Sequence, residues 1–154
     1  MRLRGFEIVS KYKKDDNIKE PIRATKLSAG YDLFNNTGSE IVIDPGELSE
    51  AITTKVKSYM QPGEFLAIYP RSGHGFKYSV RLANSVGIID ADYYNNSKNE
   101  GEIFIKLHNQ GDRILRIPNG ESFAQAIFTP FLLADGDSFD TGNDREGGLG
   151  STSK

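Results

Sequence analysis

The chain is 154 residues long, enough for one domain that buries about two thirds of its unfolded surface. A net charge of −2 and a pI near 5.7 create no field that would draw a polyanion, so nucleic acid is not expected as a direct partner. Cysteine is absent, which removes disulfides, thiolate nucleophiles and sulfur-ligated metals; two histidines, His74 and His108, leave little for a histidine metal cluster or a Ser-His relay.

The N-terminal stretch MRLRGFEIVSKYKKDDN holds no apolar run long enough for a signal peptide, and no later stretch could cross a bilayer, so a cytoplasmic location without membrane contact is expected. Arg4–Tyr12 alternates loosely and is predicted as the first strand, followed by a charged turn. Sixteen glycines, six prolines and short apolar runs at close intervals favour an all-β domain. Further strands are predicted over Glu40–Asp44, Ala51–Val56 and Glu64–Tyr69, the last two joined across Gln61-Pro62-Gly63. Ser72–Val80 is the one helix candidate. Val86–Ile89, Gly101–Leu107 and Ala124–Leu133 complete the strands; Ile103, Ile105 and Leu107 alternate with Phe104, Lys106 and His108 at period two. From Ala134 onward the composition turns to Asp, Gly, Ser and Thr, which cannot bury enough apolar surface to order itself. This divides the chain into a β domain, 1–134, and a flexible C-terminal arm, 135–154.

Chemistry-bearing residues crowd between Pro70 and Tyr93. Arg71, Ser72 and Gly73 precede or open the predicted helix, where free N–H groups favour an anion; an ordinary N-cap serine is the alternative. Asp90 and Asp92, two apart on a strand or hairpin, would face one side. They could act as a general base or hold a cation through water, or be solvated turn residues. Asp32 is a third candidate carboxylate, and Tyr93 is either a packing residue or a platform for a sugar or base. In the tail, Arg145 to Thr152 combines glycines, hydroxyls and an arginine. That composition suits either a solubilising end or an arm closing over phosphate.

Nearly the whole chain resembles the trimeric all-β dUTP nucleotidohydrolases, the dUTPases. Five motifs stand in the family's order. They are Ala29-Gly30-Tyr31-Asp32-Leu33; Pro70-Arg71-Ser72-Gly73 with Gly75 and Lys77; Asn84, Gly87, Ile89-Asp90 and Asp92-Tyr93; Gly120-Glu121-Ser122-Phe123-Ala124-Gln125; and Arg145 to Thr152. The resemblance implies a distorted jelly-roll or β-barrel with one short helix and a flexible arm. It also implies a homotrimer with sites between subunits, the arm crossing to a neighbour's site.

For the reaction, the resemblance implies hydrolysis of dUTP to dUMP and pyrophosphate. Asp90 would deprotonate the water that attacks the α-phosphorus, with Asp32 supporting the site. Ser72 would stabilise the pyrophosphate leaving group. Arg71, Gly73 and Gln125 would serve the phosphates, while Asn84, Gly87 and Ile89 read uracil. Tyr93 would exclude a 2′-hydroxyl, and Arg145, Leu149, Gly150, Ser151 and Thr152 would close the site. Mg²⁺ would ride on the triphosphate and water, with no side-chain ligand.

Four departures bear on function. Ser122 stands where the fourth motif has Arg and Leu149 where the fifth has Phe; Tyr94 to Glu100 delays the Gly-Glu pair to Gly101-Glu102 as a polar insertion, and Ser153-Lys154 replaces the usual Gly after Ser-Thr. The alternatives are a dCTP deaminase of the same fold and a dUTP-binding regulator, for which the insertion could dock a protein partner.

Overall fold

Short apolar runs broken by turn residues build the fold, and the computed structural model describes it over residues 1–142 and 144–148. The strands are β1 Gly5–Ile8, β2 Ile22–Arg23, β3 Tyr31–Phe34, β4 Ile41–Ile43, β5 Ile52–Thr53, β6 Val56–Tyr59 and β7 Glu64–Pro70. Helix α1, Ser72–Tyr78, follows, then β8 Val80–Leu82, β9 Gly87–Asp90, β10 Phe104–Ile105, β11 Leu107–Asn109, β12 Leu115–Ile117 and β13 Ser122–Pro130.

One antiparallel five-stranded sheet, in the order β2-β3-β13-β7-β9, carries the fold. Four two-stranded pairs complete it: β1-β6, β10-β5, β11-β8 and β12-β4. The sheets stay open, which makes this an all-β distorted jelly roll with one short helix rather than a closed barrel.

The inward faces of these strands form one core around Leu33, Leu66, Ile68, Leu107, Leu115, Ile117 and Phe123. Ile103, Ile105 and Leu107 are buried while Lys106 is exposed, as period two requires. Phe123 is fully enclosed, and truncating it to Ala would cost about 3–5 kcal/mol because the cavity could close only in part.

Element boundaries move where a side chain or a backbone angle overrides the apolar pattern. Arg4–Tyr12 is not one strand. It leaves the sheet at Ile8 and winds into a 3₁₀ turn, Ser10–Tyr12, that brings Tyr12 Oη within 3.2 Å of the buried Glu102 carboxylate. Ala51–Val56 breaks at Lys55, whose φ of 58° cannot continue a strand, and the chain beyond it pairs with β1 rather than with β7. Helix α1 stops at Tyr78 because Ser79 adopts the left-handed conformation, with φ 52°.

Candidate active site

The turn from β8 to β9 and the turn after β9 wrap a cavity of about 310 Å³. Its wall includes Asn84, Gly87, Ile89, Asp90 and Tyr93, all five expected at the base, sugar and water positions. Gly87 has a packing reason to be glycine: a Cβ there would lie 2.9 Å from Ile68 Cβ, so bare backbone faces the space. Tyr93 is only 6% exposed, and its hydroxyl donates to Glu102 O at 2.8 Å. Burial raises the phenol pKa, which keeps it neutral and available as a flat wall.

The two aspartates do not share a strand. Asp90 ends β9, and the chain then turns into a 3₁₀ segment, Ala91–Tyr93, that carries Asp92. What brings them together is Arg145. Its Nη2 lies 2.5 Å from Asp90 Oδ2 and its Nε 2.6 Å from Asp92 Oδ1, while Nη1 donates to Gly147 O. The described part of the arm thus reaches the wall of the cavity through Arg145. Two carboxylates within one guanidinium's reach explain why it settles there. Gly148 packs on the Tyr93 ring so closely that a Cβ would stand 2.3 Å from Cε2. Leu149, Gly150, Ser151 and Thr152 lie outside the described residues.

The remaining candidates form a second cluster. Arg71 is the N-cap of α1 and Ser72 its first residue, exposed and without a cap hydrogen bond, so the N-cap reading of Ser72 does not hold. Gly73 follows it, also exposed. Arg71 Nε lies 3.3 Å from Asp32 Oδ1, and its Nη1 donates to Ser122 O at 3.3 Å. The second and fourth motifs are therefore joined through backbone although Ser122 has no cation to offer. Gln125 donates to Pro70 O at 3.1 Å, and a Cβ on Gly30 would stand 2.5 Å from Gln125 Oε1, so a side chain there would push the glutamine aside. His74, in the first turn of α1, is held below the usual histidine pKa by burial and by the Arg71 charge.

These two clusters sit at opposite ends of β7. Asp90 pairs with Phe65, and Arg71 follows Pro70, six residues further on; at about 3.3 Å per residue that is roughly 20 Å.

A sequence model of the dUTPase family matches residues 16–153. The chain belongs to the dUTPase family. The deoxyuridine 5′-triphosphate nucleotidohydrolase of Lactococcus lactis subsp. lactis is 46% identical over 152 residues, 99% of each chain. That of Tolumonas auensis is 36% identical over 137 residues, 87% of each. Among solved structures, the dUTPase from Streptococcus mutans superposes with a TM-score of 0.73 at 43% identity, covering 86% of this chain and 99% of its own. The dUTPase from phage phi11 of S. aureus, at 20% identity and a TM-score of 0.68 over 94% and 100% of the two chains, shares the fold.

Asparagines of the inserted segment went unassigned in the sequence. Asn96 and Asn99 bond directly to Tyr93 in this dUTPase, and the only signal was the density of Asn in a turn next to the motif tyrosine.

Proposed function

We propose that the protein hydrolyses dUTP to dUMP and pyrophosphate, with uracil and deoxyribose seated in the cavity between Asn84 and Tyr93. The observation that carries the reading is that this cavity gathers the base-reading, sugar-reading and water-holding positions of the third motif into one wall. Backbone at Gly87 and Ile89, together with the Asn84 amide, presents donors and acceptors to the uracil edge. The Tyr93 ring lies where a 2′-hydroxyl would need space. Asp90, at the rim, takes the proton of the attacking water.

A carboxylate is a weak base at neutral pH, so general-base action supplies roughly 10²–10⁴-fold. Alignment and charge neutralisation supply the rest. Arg71 and Gln125 bind phosphate oxygens, Ser72 donates to the oxygen that leaves with pyrophosphate, and Gly73 adds backbone N–H. Asp32 holds Arg71 in place.

The roughly 20 Å between Asp90 and Arg71 along β7 supports a site shared between subunits, one chain giving Asp90 and Tyr93 and a neighbour giving Arg71, Ser72 and Gln125. A homotrimer with three such sites follows the family pattern. Residues 1–134 carry the machinery and 135–154 act as its lid. Arg145 leaves Asp90 for the γ-phosphate as the lid closes, freeing the carboxylate for water, with Leu149, Gly150, Ser151 and Thr152 completing the closure.

Among the described residues no group of three or more His, Asp or Glu is placed to hold a metal ion. Asp32 pairs with Arg71, and Asp90 and Asp92 with Arg145. Mg²⁺ would be carried by the triphosphate and water, where it would neutralise phosphate charge. Among the described residues no helix is long and apolar enough to cross a membrane. A cytoplasmic location is part of the proposal and rests on the substrate being a nucleotide.

Incubation with each dNTP and with UTP, in the presence of Mg²⁺, tests the proposal. dUMP and pyrophosphate from dUTP alone is the expected result. Conversion of dCTP to dUTP would instead establish the deaminase, and binding without turnover the regulator.

A further inference from the structure

The inserted segment packs behind Tyr93 through Asn96 and Asn99, while Asn95, Ser97 and Lys98 face solvent. Asn99 Nδ2 donates to Tyr93 Oη at 2.7 Å, and that hydroxyl in turn donates to Glu102 O. Asn96 Nδ2 donates both to the Tyr93 carbonyl at 2.8 Å and to Asn99 Oδ1 at 2.7 Å. Asn99 Oδ1 also accepts the Gly101 N–H at 3.1 Å. Gly101 itself has φ 85°, and a Cβ on it would stand 2.7 Å from Tyr93 O. The segment is shut tightly against the tyrosine at both its backbone and its phenol end. A loop that merely absorbed extra length would leave its amides in water, whereas Asn96 is buried.

We propose that Asn99 is a positioning residue for sugar discrimination: it fixes the tilt of the Tyr93 ring and, through it, the clearance that admits a 2′-hydrogen and refuses a 2′-hydroxyl. The inference rests on Tyr93 being the sugar platform. The phenol oxygen is the ring atom furthest from the backbone, so an anchor there has the greatest leverage over tilt. Van der Waals repulsion rises steeply within a few tenths of an ångström, so a small pivot changes which sugar fits. Asparagine is the residue suited to the place. Its N–H₂ serves the phenol while its carbonyl oxygen serves Asn96 and Gly101; aspartate would offer acceptors alone.

The experiment compares kcat/KM for dUTP and UTP in the full-length protein and in Asn99→Ala, Asn99→Asp, Tyr93→Ala, Tyr93→Phe and Tyr93→Phe/Asn99→Ala, with thermal unfolding alongside. Asn99→Ala should cut the dUTP:UTP preference roughly tenfold while kcat for dUTP falls much less. Asn99→Asp, which keeps the shape and loses the donor, should do the same and stands in if the alanine variant fails to fold. Once the phenol is gone in Tyr93→Phe, Asn99→Ala should add nothing. An unchanged preference in both Asn99 variants, with a reduced one in Tyr93→Ala, would overturn the inference and leave the platform standing. So would an equal further loss in the Tyr93→Phe background. Unchanged preference in Tyr93→Ala would remove the platform and the inference together.

Discussion

Arg145 sets its guanidinium directly on Asp90, Nη2 to Oδ2 at 2.5 Å, so the arm's cation covers the carboxylate proposed to activate water. The same side chain holds Asp92, and the arm residue Gly148 lies over the Tyr93 ring. Turnover then requires Arg145 to exchange one anionic partner for another. Arg145→Ala, or truncation after Asn143, should lower kcat by about 10–10³-fold by losing a charge clamp on phosphate. The folded domain should persist, since 1–134 holds the core. Steady-state kinetics beside circular dichroism measures both, and full activity in the truncated chain would show the arm is dispensable.

Asp90→Asn removes the proton acceptor and keeps the shape. Turnover should fall by at least about 10²–10⁴-fold, while affinity for a non-hydrolysable dUTP analogue stays near that of the parent. Calorimetry with the analogue separates the two effects. Retained turnover would sink the assignment.

The roughly 20 Å between Asp90 and Arg71 along β7 makes subunit complementation a direct test of a shared site. Asp90→Asn and Arg71→Ala chains, each inactive alone, should regain a fraction of parent activity when unfolded, mixed and refolded together. No regain, with mixed oligomers confirmed by mass, would mean each chain works alone.

Glu100, next to Asn99, anchors the insertion to Ser10 and Lys57. Hydrogen bonds from Lys57 Nζ and Ser10 Oγ pull its carboxyl pKa down from 4.5 to about 2. A depressed carboxylate adds stability that is fully present above its unfolded pKa and lost as pH falls through the folded one. The segment should therefore loosen between pH 4.5 and about 2. Glu100→Gln should flatten the fall in Tm over that window while lowering Tm at neutral pH, because the buried Lys57 loses its nearest carboxylate. A parallel pH profile in the variant would count against this role.

Much of the fold was legible in the sequence because strand burial has period two: Ile103, Ile105 and Leu107 could be placed inward from their spacing alone. Boundaries were less legible where a distant partner decides them. Tyr12 leaves the first strand for Glu102, ninety residues on, and nothing local to Ser10–Tyr12 says so. The site candidates were legible as types between Pro70 and Tyr93, but their order and roles came from the resemblance to the dUTPase motifs rather than from spacing. The insertion was less legible. Its length and polarity were plain in the sequence, but the bonds of Asn96 and Asn99 to Tyr93 were not.

The sequence by itself determined the β class, the five motifs in order and the departures at Ser122 and in 94–100, because these depend on residue type and short-range spacing. Only the tertiary structure decided that Asp90 and Arg71 stand at opposite ends of β7, that Arg145 closes on Asp90 and that Asn99 braces Tyr93. Such contacts join residues far apart in the chain or hang on the direction of a single side chain, and both are fixed by packing rather than by local propensity.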